Sequence, residues 1–131
     1  MTDDGMTNDR MTNDRVTHFR EERERLNKLV LEKAGLTTKR FFNLDTQAYK
    51  DGALSARTKE LLGLVASLVL RCDDCILYHL IRCREEGVTT EEIEETVAIG
   101  LIVGGSITIP HVRRLWDAWE QAEGARRPGR H

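Results

Sequence analysis

The chain has 131 residues, of which 40% are hydrophobic and 32% charged, with a formal net charge of −2. That length supplies one domain with a moderate core, which a small protein often supplements by oligomerisation. The charge balance excludes nucleic acid as the main partner, because no surplus of cations is available to neutralise phosphates.

Two prolines, set among many Leu, Glu, Ala and Arg residues, favour an all-α class of about six helices. Residues 1–15 contain a tandem MTNDR repeat with no apolar face, which predicts a disordered extension and shows no signal-peptide pattern. The helical domain is expected over residues 16–123, followed by a flexible basic tail over 124–131 that carries Arg126, Arg127 and Arg130. A first helix is predicted from about Thr17 to Ala34, with Phe19, Leu26, Leu29 and Val30 as a narrow apolar stripe, and Gly35 stopping it. A second, from about Thr38 to Lys50, carries Phe41, Phe42, Leu44 and Tyr49, and Asp51-Gly52 is a turn signal.

Ser55 is the expected N-cap of a third helix, Ala56 to about Arg71. Its stretch from Leu61 to Leu70 is apolar on nearly every side, so it must be covered all round, by its own domain or by a neighbouring subunit. Asp73 or Asp74 begins the fourth helix, which Gly87 ends. Thr89-x-x-Glu92 is a capping box for the fifth, with Ile93, Val97, Leu101 and Ile102 as its core face and Gly104-Gly105 at its end. The last helix, about Ser106 to Ala122, holds Pro110 in its first turns and the packing residues Trp116 and Trp119. The longest uncharged run, residues 96–110, is too short and too interrupted by glycine to span a bilayer, so no membrane partner is expected. Those glycines follow no strand, so no nucleotide-binding loop is indicated.

The chemistry gathers in RCDDCILYHLIRC, from Arg71 to Cys83, which holds all three cysteines. Three cysteines within twelve residues are not a secreted disulfide framework. The expected compartment is a reducing cytoplasm, where a C-x-x-C pair cycles or binds metal. On a helix, Cys72, Cys75 and His79 share one stripe. Glu60 lies upstream, eleven residues separating it from Cys72. A helix N-terminus and an adjacent imidazole both favour the thiolate, which is the nucleophile. His79 can accept a thiol proton directly or through water, and Glu60 can orient His79. A second thiol three residues away captures a sulfenic acid as a disulfide before it over-oxidises.

Glu60, Cys72-x-x-Cys75-x-x-x-His79 and their surroundings (Leu54, Thr58 to Leu61, Gly87, Glu91 to Ile93, Gly104-Gly105) resemble the AhpD-like alkylhydroperoxidases of the carboxymuconolactone decarboxylase family, over roughly residues 40–120. The resemblance implies an all-α fold assembled as a homotrimer or homohexamer, with Cys75 attacking, Cys72 resolving and Glu60 and His79 as the proton relay. It implies a hydroperoxide substrate, and a lipoyl or thioredoxin-like dithiol that reduces the disulfide. No cofactor or resident metal is implied. Members of the AhpD type carry a histidine where this chain has Asp74, whose charge opposes thiolate formation. The decarboxylases that name the family lack the cysteine pair.

Two other readings stand beside this one. A catalytically weak redox or interaction protein would keep the fold and turn over peroxide poorly. A small zinc-binding structural module would draw on Cys72, Cys75, His79 and Cys83, although four donors along one helix reach poorly around a tetrahedral ion. Cys83 reads as a small buried apolar residue. His111 either lines a pocket or sits on the surface.

Overall fold

A computed structural model describes residues 14–126, with side chains through residue 122. The described residues form six α-helices and no strand: α1 Arg15–Lys33, α2 Leu36–Ala48, α3 Ala56–Leu70, α4 Asp73–Glu85, α5 Thr90–Gly104 and α6 Ile109–Arg126, the last preceded by a 3-10 turn at Ser106–Thr108. No helix among them is long and apolar enough to cross a membrane. Helix α1 begins inside the range 1–15 expected as an extension, where Asp14 caps it by accepting the Thr17 N–H at 2.7 Å. Residues 1–13 and 127–131 lie outside the described residues. At the other end α6 runs three residues into the expected tail, to Arg126.

Helix α3 is the axis of the molecule and packs chiefly against α4 and α5, while α6 closes on α4 and α1 on α6. The core takes Leu64 and Leu68 from α3, Ile76, Leu80 and Cys83 from α4, Ile93 and Val97 from α5, and Leu115, Ala118 and Trp119 from α6. Full burial of one such leucine or isoleucine contributes roughly 1.5–3 kcal/mol. Gly100 lets α5 approach α3, for a β-carbon there would lie 2.6 Å from Leu68 Cδ2. Trp119 is fully buried, its indole N–H donating to Thr90 Oγ1 at 3.0 Å and its ring face stacked under the Arg84 guanidinium. Trp116 packs against the edge of the same core.

The local signals decide the helix starts. Ser55 accepts the Thr58 N–H at 3.1 Å, and Thr89 and Glu92 form the full capping box. Glu92 also pairs with Arg57, which ties the start of α5 to the start of α3. Two faces depart from expectation. Ile102 is 83% exposed rather than part of the α5 core face. On α1 the core contact is made by Val16 and Phe19, while Leu26, Leu29 and Val30 remain exposed. A helix apolar on several sides does not reveal by periodicity which side its own domain covers.

The turn between α3 and α4 sets up the chemistry. Arg71 adopts the left-handed conformation (φ 59°, ψ 43°), its N–H bonds to the Leu68 carbonyl at 3.0 Å, and the Cys72 N–H bonds to the Ser67 carbonyl at 3.1 Å. This Schellman arrangement normally takes glycine at the left-handed position. Here it reverses the chain within one residue and delivers Cys72 directly as the N-cap of α4.

Candidate active site

Glu60, one turn into α3, is 1% exposed. A buried carboxylate requires partners, and it has two from α4. His79 Nδ1 lies 2.8 Å from Oε1, and Arg82 Nε lies 3.5 Å from Oε2. Arg82 is held in turn by Glu85 and Glu86. Because arginine is only a donor, Glu60 acts as acceptor for both neighbours, and His79 Nδ1 carries the ring proton. His79 Nε2 is left to accept, and the Tyr49 hydroxyl lies 3.4 Å away with the two rings 5.2 Å apart. Burial, and then the charge of Glu60, push the Tyr49 phenol up from its ordinary range, so it keeps its proton at neutral pH.

His79 packs into a slot shaped by Gly63. A β-carbon at Gly63 would sit 2.7 Å from His79 Cε1 and 2.8 Å from Nε2. Tyr78 meets the imidazole edge-on, and Arg23 of α1 lies over the Tyr78 ring at 4.1 Å.

All three cysteines are free thiols. Cys72 is half-buried, Cys75 exposed and Cys83 sealed in the core. The Cys72 sulfur caps α4 by accepting the Cys75 N–H at 3.3 Å. The Cys75 thiol is pushed up to about 11, first by its hydrogen bond to Cys72, then by burial, the Cys72 charge and the charge of Asp74. The helix N-terminus therefore serves Cys72 rather than Cys75. The reason is local: the N-cap residue, not the third residue of the turn, receives the free amides.

Two adjoining clefts expose the constellation. One of about 1030 Å³ is lined by Tyr49, Glu60 and Arg82, the other of about 680 Å³ by Cys75 and His79. Phe19, Arg23 and Tyr78 border both. The structure thus brings Glu60 to His79 and Cys72 to Cys75. It does not gather the four donors of the zinc reading, because Cys83 faces the core and both His79 nitrogens are engaged. No group of three or more His, Cys, Asp or Glu side chains among the described residues is arranged to hold a metal ion.

Tyr49, Arg82 and Gly63 were not singled out by the sequence, and Asp73 and His111 were not connected. Asp73 Oδ1 lies 2.7 Å from His111 Nδ1, and its Oδ2 accepts Arg114 Nε at 2.9 Å. Burial opposes the Asp73 charge, but His111 and Arg114 outweigh it and hold the carboxyl below its ordinary range. His111 borders neither cleft.

Comparison with known proteins places the whole fold. The profile of the carboxymuconolactone decarboxylase family matches residues 36–118. A protein of that family from Thermotoga maritima, for which involvement in the antioxidative response has been suggested, is 53% identical, with a TM-score of 0.81 over 87% of this chain and 97% of that one. A family protein from Legionella pneumophila, solved in its apo form, is 30% identical, with a TM-score of 0.68 over 86% of this chain and 97% of that one. An uncharacterized protein of the cox locus of Paracoccus denitrificans is 29% identical over 85 residues, which are 65% of this chain and 77% of that protein.

Proposed function

Since the chain belongs to the carboxymuconolactone decarboxylase family, we propose that it is a thiol-dependent hydroperoxide reductase whose redox pair is Cys72 and Cys75. The observation that carries this reading is an imidazole clamped between a buried acid and a phenol, bordering the same cleft as a reduced cysteine of a contacting pair. One thiolate attacks the outer of the two linked oxygens of a hydroperoxide, forming a sulfenic acid and releasing an alkoxide. The second thiol then displaces hydroxide, so one peroxide and two thiols become an alcohol, water and a disulfide. A lipoyl or thioredoxin-like dithiol restores the pair by exchange. A reducing cytoplasm supplies such donors.

Tyr49 is the port of the relay. A proton released by the thiol pair passes to the phenol as its own proton moves to His79 Nε2, and Glu60 offsets the imidazolium charge. The same path run backwards protonates the departing alkoxide. General acid–base help of this kind contributes about 10²- to 10⁴-fold. With dihydrolipoamide as donor and an organic hydroperoxide as substrate, we expect peroxide loss, and loss of two hydrogens mapped by mass spectrometry to Cys72–Cys75. Peroxide consumption no faster than in the double variant Cys72→Ser/Cys75→Ser would leave the reading of a catalytically weak interaction protein, which the opposing charge of Asp74 favours.

The working unit we propose is a homotrimer or homohexamer. Helix α2 buries no residue and leaves Phe41 and Leu44 more than 60% exposed. The outer faces of α3 and α5 expose Leu62, Leu70, Ile99, Ile102 and Val103. Apolar surface of this extent is unusual on a monomer. Light scattering at micromolar concentration is expected to give three or six times the chain mass, and a monomer would refute the assembly.

A further inference from the structure

We propose that the outward face of α2 docks on the outward face of α5 of a second copy of this chain. This contact holds Tyr49 against His79, so the proton relay is complete only in the assembly. The proposal rests on the thiol-peroxidase reading and the assembly proposed above, and it names the surfaces that join and what they do for the site.

Helix α2 carries the port of the relay yet is barely held by its own chain. It buries no residue and makes no extended packing with any other helix among the described residues. Phe42 is its one half-buried residue, and Tyr49, half-buried at its C-cap seven residues on, lies on the same side. The turn that follows is tied to the start of α3, where Lys59 Nζ donates to the Lys50 carbonyl at 2.6 Å and the Ala56 N–H to Asp51 Oδ1 at 2.7 Å. Those bonds fix where α2 ends, not the angle at which the helix meets the turn. A helix of 13 residues without tertiary packing is marginal in water. Its orientation, and with it the 3.4 Å approach of the Tyr49 hydroxyl to His79 Nε2, therefore needs cover from outside the chain.

The chemistry of two faces says what that cover is. The outward side of α2 presents Phe41, Leu44 and Ala48, with Leu36 at its start and the cations Lys39 and Arg40 beside them, all exposed. On α5, Glu91, Glu95, Ile99 and Ile102 follow one another at helical spacing in a single exposed stripe, with Glu94 and Val103 at its edges. Glu92 is spent on Arg57, whereas Lys39, Arg40, Glu91, Glu94 and Glu95 form no ion pair among the described residues. One face joins apolar side chains to cations, the other to anions, so each complements the other and repels its own kind. A contact between unlike faces runs head to tail and can close into a ring, the symmetry of a trimer and of a hexamer built from two trimers. Leu36, Phe41, Leu44, Ile99, Ile102 and Val103 are each more than half exposed. Together they offer roughly 700 Å² of apolar surface, the apolar share of an interface at the lower end of the standard size.

Two substitutions at exposed positions test the contact without touching the site. Leu44→Arg on α2 and Ile102→Arg on α5 are each expected to reduce the light-scattering mass to that of one chain. Mixed one to one, they are expected to give twice the chain mass, because the sound α5 face of the first still accepts the sound α2 face of the second. Lys39→Glu/Arg40→Glu is expected to break the assembly, and Glu94→Lys/Glu95→Lys added in the same chain to restore it. An unchanged mass in either single variant, or a mixture that stays monomeric, overturns the docking. Pairing of like faces would survive in one variant and would never form the mixed pair.

Hydrogen exchange reads the consequence for the site directly. Ile102→Arg, a change in another helix, is expected to speed exchange of the α2 amides by roughly tenfold or more, with the α3 and α4 amides unchanged. Equal protection of α2 in this variant and the wild type overturns the link to the site. Peroxide turnover of Ile102→Arg is expected to fall to the level of Tyr49→Phe, and the two changes together to lose nothing further. Losses that multiply would show that the assembly does not hold Tyr49. If no form consumes peroxide, the mass and exchange results still decide the docking, and only the peroxidase reading falls.

Discussion

Gly63→Ala is expected to lower kcat for peroxide by about 10²-fold, the cost of misplacing a reacting or relaying group by about 1 Å, while leaving the protein folded. The added methyl would stand 2.7–2.9 Å from three atoms of the His79 ring. Such contacts require movement, and the ring has nowhere to go without losing a partner. Glu60 holds Nδ1, Tyr49 holds Nε2, Tyr78 stands against the edge, and Arg82 fixes Glu60 from behind. Overpacking of this kind costs roughly 1–3 kcal/mol. The exchange of glycine for alanine inside a helix returns up to about 1 kcal/mol. Net stability therefore falls by no more than about 3 kcal/mol, and the rate falls even where the protein stays folded. Gly100→Ala is the matching control, since its β-carbon meets Leu68 as closely but lies away from the relay. That variant should lose stability and keep kcat. Unchanged turnover in Gly63→Ala, or equal rate losses in both variants, would remove His79 from the chemistry.

The helices were legible because their signals are local. Ser55, the Thr89–Glu92 box and Pro110 all act within one turn of themselves, and each is where the sequence places it. The all-α class and the family followed from composition and from one spacing, Glu60 to Cys72-x-x-Cys75 to His79. Sequence could not say whether Glu60 was buried, because burial of an acid depends on Arg82 and His79 arriving from another helix. Tyr49 was read as part of an apolar stripe, and its hydroxyl reaches His79 only because the α2–α3 connection folds back over α3 and α4. The Asp73–His111 contact joins residues 38 apart and leaves no periodic trace. Arg71 hid the turn between α3 and α4, since a left-handed helix end is ordinarily announced by glycine. That turn decides which cysteine becomes the N-cap. The motif alone supplies the two sulfurs, and the turn makes them unequal.

Stability is expected to fall by about 4 kcal/mol between pH 9 and 12, at up to about 1.4 kcal/mol per pH unit, through one thiol that takes no part in catalysis. Cys83 is 0% exposed, and burial, followed by the charge of Glu60, pushes its thiol from 9.0 up to about 12. In the unfolded chain the same thiol ionises near its ordinary value. Above pH 9 the unfolded state has therefore released a proton that the native state retains. The unfolded state then binds fewer protons, so rising pH favours unfolding. Below pH 9 both states keep the proton, and Cys83 adds no pH dependence. Cys75 shifts in the same direction, but its exposure to solvent screens the effect. Urea midpoints at pH 7 and pH 11 separate these contributions. Cys83→Ala should lose about 1 kcal/mol at pH 7 through a small cavity, yet fall less than wild type on going to pH 11. Parallel losses in the two proteins would show that Cys83 is not the group responsible. The same burial keeps this third thiol out of exchange with the Cys72–Cys75 pair, since alkylation or mixed-disulfide formation at Cys83 would first require the core around Leu80 and Ile93 to open.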